Sequence, residues 1–296
     1  MTLHRQARSA LESSSGDPRV WEVGIEESRT LARVEAARLP REPVAHVEDV
    51  DADGVRCRLY EPEGRLAGLV LHLHGGGFVF HDVDVHDAAA RSLANRSRMR
   101  LLSVDYRLAP ENPFPAARDD VDTVLRWCAE QAGRGDSRFS GPTYLHGDSS
   151  GGNLALVAAL RNPGRLRALA LTYPFLDPGA TGESYTTAAE GFDPAEAAWY
   201  WKQYARTADD LTDPDVAPLL SDRLSILPPT LIVTAEHDPL RDEGEMLAAR
   251  LADAGVSAVG IRFLGQLHGF WRHPEVFDAA GPLTGTIAGF LLSHHP

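Results

Sequence analysis

Short apolar runs alternate with amphipathic segments along most of this chain. The runs fall at residues 55–60, 69–73, 101–104, 143–145, 169–173, 231–234 and 260–264. The first alternates apolar and polar positions, and the second is apolar apart from His72, so both read as strands. Helical patterns cover about 86–97, 116–131, 150–161, 240–254 and 275–292. Ahead of them, Val23, Leu31, Val34 and Leu39 lie at mostly helical spacing within residues 19–40, stopped by Pro40; one or two amphipathic helices are expected there. Strands alternating with helices imply an α/β domain with a mostly parallel central sheet and helices on both faces. Reactive groups in such sheets sit at the carboxyl ends of the strands.

One stretch breaks the alternation. Residues 177–217 are rich in Asp, Gly, Thr and Pro, with a single aromatic helical segment at 195–204. A loop of that length inside a compact domain is usually functional. No internal repeat stands out. The expectation is one domain over residues 1–296, with a helical cap formed by about 1–45 and 177–217.

Composition narrows the classes of partner. The chain has 296 residues, 43% hydrophobic and 24% charged, an ordinary globular balance with a full buried core. Its 29 Lys and Arg against 42 Asp and Glu give a net charge of −13. That balance disfavours nucleic acid and anionic membrane surfaces as partners. The two cysteines, Cys57 and Cys128, lie in separate apolar segments with no Cys-x-x-Cys spacing, which fits free thiols in a reducing compartment. The first sixteen residues are polar and lack a secretory apolar core. No run reaches the ~18 apolar residues of a membrane span. A cytoplasmic protein is expected.

Two glycine-rich stretches carry the candidate chemistry. Gly147-Asp148-Ser149-Ser150-Gly151-Gly152 contains Gly-x-Ser-x-Gly, which puts a serine hydroxyl at the tip of a sharp strand-to-helix turn. His74-Gly75-Gly76-Gly77-Phe78 is a loop that can aim backbone N–H groups at a developing oxyanion. An acyl-transfer enzyme needs both parts. Ser149 also needs a base, and His268 follows the last apolar strand in Leu267-His268-Gly269-Phe270. The orienting acid in such an order lies between serine and base. Asp238, where strand 231–234 runs into a loop, fits best, with Glu236 and Asp242 as competitors.

Two other groups weigh as metal candidates: His72 with His74, and His81, Asp82, Asp84, His86 and Asp87. Neither has a closed ligand spacing such as His-Glu-x-x-His, so neither a metal nor another cofactor is expected.

With these residues in hand, the chain resembles the hormone-sensitive-lipase family of α/β-hydrolases, particularly its bacterial carboxylesterases. The likeness covers roughly residues 55–290. It rests on His74 to Phe78, Asp105-Tyr106-Arg107-Leu108-Ala109-Pro110-Glu111, Gly147 to Gly152, Asp238-Pro239-Leu240-Arg241-Asp242-Glu243 and His268-Gly269-Phe270. The resemblance implies the α/β-hydrolase fold and a catalytic triad of Ser149, Asp238 and His268. It further implies an oxyanion hole from the N–H groups of Gly76, Gly77 and Ser150. His74 is implied to hold the glycine loop, and Asp105, Arg107 and Glu111 to act as scaffold. Asn112 and Ser150 stand where other members often carry histidine and alanine. Trp271 is bulky and is expected to narrow the pocket.

Substrate choice falls to the cap. Trp199, Tyr200, Trp201 and Tyr204 crowd one helical segment, Trp201 and Tyr204 sharing a face; at least one is expected to line the acyl pocket, and Trp199, Trp201 and Tyr204 are the candidate substrate-binding residues. The expected substrate is a small ester with a short- to medium-chain acyl group. The same triad would serve an amidase or an N- or O-deacetylase, and a non-catalytic binder on this fold is the reading of a different class. The apolar C-terminal helix around residues 287–292 either packs on the body or pairs with a second subunit.

Overall fold

The computed structural model describes residues 2–296. Eight strands form one sheet: β1 (His46–Ala52), β2 (Val55–Glu61), β3 (Leu69–Leu73), β4 (Arg100–Val104), β5 (Thr143–Asp148), β6 (Ala168–Thr172), β7 (Thr230–His237) and β8 (Ala258–Leu267). Their order is β1-β2-β4-β3-β5-β6-β7-β8. β1 and β2 pair antiparallel, as do β2 and β4, and every pair from β4 to β8 is parallel.

The helices are α1 (Arg5–Ser13), α2 (Ile25–Ala36), α3 (Asp87–Ser97), α4 (Ala116–Gly133), α5 (Ser150–Arg161), α6 (Ser184–Thr187), α7 (Pro194–Tyr204), α8 (Arg241–Asp253) and α9 (Ala280–Ser293). Central strands send alternate side chains to opposite faces. Leu71, Leu145, Leu169 and Ile232 pack in one apolar cluster with α4, α5 and α8. Val70, Tyr144, Ala170 and Leu231 pack in another with α3 and α9. The sheet is therefore covered on both sides, as the alternating pattern predicts.

Three elements escape the sequence pattern: β1, α1 and the single turn α6 inside the 177–217 stretch. β1 pairs with β2 across the whole of His46–Ala52, yet carries Glu48, Asp49 and Asp51 and lies at the sheet's edge, where polar side chains reach water. α1 falls in the polar N-terminal stretch. It buries little beyond Ala7, and the residue before it, His4, donates its N–H to the Gly265 carbonyl at the β8 end. In α9, Ile287, Ala288 and Leu291 are buried against the body. Among the described residues, no helix is long and apolar enough to cross a membrane. Cys57 and Cys128 are buried and unbridged.

The N-terminal segment and the 177–217 insertion are tied to each other and to the glycine loop. Arg19 pairs with Asp193, whose carboxylate caps α7 by accepting the Ala195 N–H. Arg29 of α2 reaches the Val79 and Ala109 carbonyls and the Glu111 carboxylate.

Candidate active site

β5 ends at Asp148 and α5 begins at Ser150, leaving Ser149 alone at the turn with φ 54° and ψ −121°. A non-glycine residue held there costs about 1–3 kcal/mol, so its surroundings must enforce it. The Ser149 N–H donates to the Thr172 carbonyl at 2.9 Å, and the Ser149 carbonyl accepts from Phe175 at 3.1 Å. Close packing supplies the rest. A Cβ at Gly151 would stand 2.0 Å from the Leu73 carbonyl oxygen, so the start of α5 can press against the end of β3 only as glycine.

Three side chains from three strand ends meet at this turn. His268, just past β8, brings Nε2 to 3.0 Å from Ser149 Oγ. Its Nδ1 lies 2.8 Å from Asp238 Oδ2, just past β7. Asp238 is fully buried, and its other oxygen accepts the Leu240 N–H at 2.9 Å, which fixes the carboxylate plane. The competing acids are engaged elsewhere. Glu236 accepts the Gly265 N–H and Asp242 the Ser184 N–H, each at 2.7 Å.

The glycine loop faces this row. Asp148 accepts the Gly75 N–H at 2.9 Å. Tyr106 donates to the His74 carbonyl at 2.6 Å and stacks on the His74 ring. The Gly76 carbonyl takes the N–H groups of Val79 and Phe80. Among the described residues, the amides of Gly76 and Gly77 donate to no backbone carbonyl, and Ser150 opens α5, where N–H groups lack intrahelical partners. Gly77 has φ +60°, and a Cβ there would fall 2.2 Å from the Tyr200 ring. Behind the loop, Arg107 pairs with Asp120, Glu111 with Arg29, and Asp105 with Arg56.

A cavity of about 240 Å³ opens over Ser149, walled by Gly76, Gly77, Phe192, Tyr200 and Arg272 among others. The three aromatic residues expected to bind substrate do not line it. Trp201 and Tyr204 share a helical face, but that face turns into the body: Tyr204 stacks on Phe78 at 3.8 Å and Trp201 lies 4.2 Å from Phe175. Trp199 packs beside Phe80. Tyr200, at the edge of the same buried face, supplies the wall together with Glu196 one turn before it. Trp271 likewise leaves the pocket. It is buried against His72, His86 and His146 and donates to Thr284, while its neighbour Arg272 takes the lining position. Apolarity alone could not distinguish Tyr200 from the rings beside it; an acid four residues before a tyrosine was the available clue.

Beneath the nucleophile runs a row of buried histidines that crosses both candidate metal groups. Thr172, His146, His72 and His86 are linked at 3.2, 3.0 and 3.3 Å. One ligand atom each from His72, His86 and Asp148 lies within 4.8 Å of the others, so these three could hold an ion. His72 and His86 are hydrogen-bonded to each other within the row and Asp148 accepts the Gly75 N–H, while His86 Nε2 has no hydrogen-bond partner among the described residues. Burial pushes His72 and His86 well below the ordinary histidine range and His146 down to about 3. Burial raises Asp148 to about 6.

Comparison with known proteins agrees with this architecture. Residues 70–272 match a family model described as alpha/beta hydrolase fold. The carboxylic ester hydrolase LipN of Mycobacterium tuberculosis is 38% identical over 85% of this chain and 72% of its own length. An arylesterase of Saccharolobus solfataricus is 35% identical over 85% of this chain and 86% of that protein. Among solved structures, a hyperthermophilic esterase from Pyrobaculum calidifontis superposes with a TM-score of 0.87 at 34% identity, covering 99% of both chains. The chain belongs to the hormone-sensitive-lipase type of the alpha/beta hydrolase family.

Proposed function

We propose that this chain is a serine carboxylesterase acting on short- to medium-chain acyl esters through an acyl-serine intermediate. The observation that carries the reading is the hydrogen-bonded row Ser149–His268–Asp238, facing backbone amides with no backbone acceptor of their own. Relatives named as ester hydrolases support the class of reaction.

In this reading His268 Nε2 takes the proton from Ser149 Oγ as the oxygen attacks the ester carbonyl. Asp238 holds the Nδ1–H and stabilises the imidazolium. The oxyanion is received by the N–H groups of Gly76, Gly77 and Ser150. His268 then returns the proton to the departing alcohol, and water repeats the sequence on the acyl-serine. The cap, from residues 1–45 and 177–217, closes the site through α7. A cavity of about 240 Å³ is smaller than the roughly 300–1,000 Å³ of drug-sized ligand pockets, which supports a short acyl group.

A panel of p-nitrophenyl esters graded by acyl length, run beside acetanilide-type amides, tests this reading. Turnover should peak at the shorter esters and fall for long chains, with amides far slower. Faster turnover of the amides would overturn the ester assignment.

A further inference from the structure

Arg272 stands at the end of a single 3₁₀ turn, Phe270–Arg272, four residues beyond His268. It is partly buried and lines the cavity over Ser149. No carboxylate among the described residues lies within ion-pair reach of its guanidinium, and no backbone carbonyl accepts from it. Other arginines around the site are claimed: Arg29 by Glu111, Arg33 by Asp82 and Arg241 by Asp242. A guanidinium withdrawn partly from water without a partner is unfavourable, and its planar fork of donors matches a carboxylate.

The other polar walls leave this cation free. Glu196 accepts the Tyr200 hydroxyl at 2.9 Å, and burial raises its pKa. Asp148 feels the Arg272 charge but is held by the Gly75 N–H and makes no ion pair with the guanidinium. His81 also lines the cavity, but burial and the neighbouring Arg272 charge push its pKa well below the ordinary range. Arg272 is thus the one permanently charged cation among the lining residues. A sphere of the cavity's volume would be about 8 Å across, so a group bound at Arg272 lies only a few bonds from a carbonyl at Ser149.

We propose that Arg272 is an anion-binding side chain of the substrate pocket, and that the substrates are small esters carrying an ionised carboxylate a few atoms from the scissile carbonyl. Monoesters of short dicarboxylic acids, or acyl esters of short hydroxy acids, have this chemistry. The inference rests on the esterase reading and adds the substrate class.

Paired substrates of matched shape decide it, with acid release followed by pH-stat. Monomethyl succinate is set against methyl 4-methylpentanoate, which places the carboxylate on the acyl side. Acetoxyacetate is set against isobutyl acetate, which places it on the alcohol side. In the wild type, kcat/KM should favour the charged member of at least one pair by about tenfold, the worth of one charge-assisted contact. That ratio should fall to one or below in Arg272→Gln and be partly restored in Arg272→Lys. A preference for the neutral member of both pairs, or a ratio unchanged in Arg272→Gln, overturns the proposal. The wild-type ratios decide the matter even if the variants fail to fold. Hydrolysis of the neutral esters alone sinks this inference but spares the esterase reading, whereas no hydrolysis of any ester sinks both.

Discussion

A serine hydroxyl gains reactivity only when a base is placed to accept its proton, and the position of that base is set by an acid behind it. At Ser149 the two distances of 3.0 and 2.8 Å leave Asp238 as the acid, because Asp242 spends its carboxylate on the Ser184 N–H. Asp238→Asn should therefore fold normally and lose on the order of 10⁴ in kcat, while Asp242→Asn stays within a few-fold of wild type. Steady-state kinetics on p-nitrophenyl butyrate separates the two, and the reverse pattern would mean the acid is misassigned. Gly77→Ala should cost roughly 10²–10³ in kcat, the worth of an oxyanion donor. Its Cβ cannot coexist with the Tyr200 ring, so the amide must move; a variant with unchanged kcat would remove Gly77 from the oxyanion site. Ser149 was legible because glycine spacing marks the sharp turn, and Asp238 and His268 because this fold orders acid before base; the amides of Gly76, Gly77 and Ser150 came from the family resemblance. Arg272 was not legible, since a single arginine near a motif carries no periodicity.

At the scale of the element, α7 shows where pattern reading stops. Aromatic crowding marked the helix as important, but Tyr200, Trp201 and Tyr204 share its buried face, and spacing does not say which of them reaches the cavity. The structure assigns Trp201 and Tyr204 to the core beside Phe78 and Phe175 and Tyr200 to the cavity. Trp201→Ala should thus cost about 3–5 kcal/mol of stability, read by urea unfolding, with acyl-length preference unaltered. Tyr200→Ala should shift that preference toward longer chains. A shift from Trp201→Ala and none from Tyr200→Ala would reverse the assignment of these two residues. The central strands and their helices were predicted closely because burial on both sides makes them continuously apolar. β1 and α1 were missed because each is largely solvated, and solvated elements carry little pattern.

For the molecule as a whole, the buried histidines make stability depend on pH. Burial lowers the pKa of His72, His74, His81, His86 and His146. The unfolded chain binds protons at these sites as pH falls through 6.5, and the fold does not until far lower, toward about 3 for His146. Their contribution is therefore complete above pH 6.5 and is lost below it. Asp148, Glu196 and Glu243 are raised by burial and act in the opposite sense, but they are three groups against five. The urea midpoint should fall between pH 7 and pH 5, and less steeply in His146→Phe. A midpoint that holds or rises over that interval would contradict this balance. The histidine row itself could not be read from the chain, because His72, His86 and His146 meet only once β3 and β5 pair in register and α3 folds over them.

The central claim is that Ser149, distant in sequence from its base and acid, is the nucleophile they activate. Stoichiometric treatment with a p-nitrophenyl alkylphosphonate, followed by peptide mapping, tests it most directly. One adduct per chain is expected, located on Ser149, with activity lost in proportion to labelling and no adduct in His268→Ala. Inactivation with the label on another residue, or full labelling of Ser149 with activity intact, would contradict it.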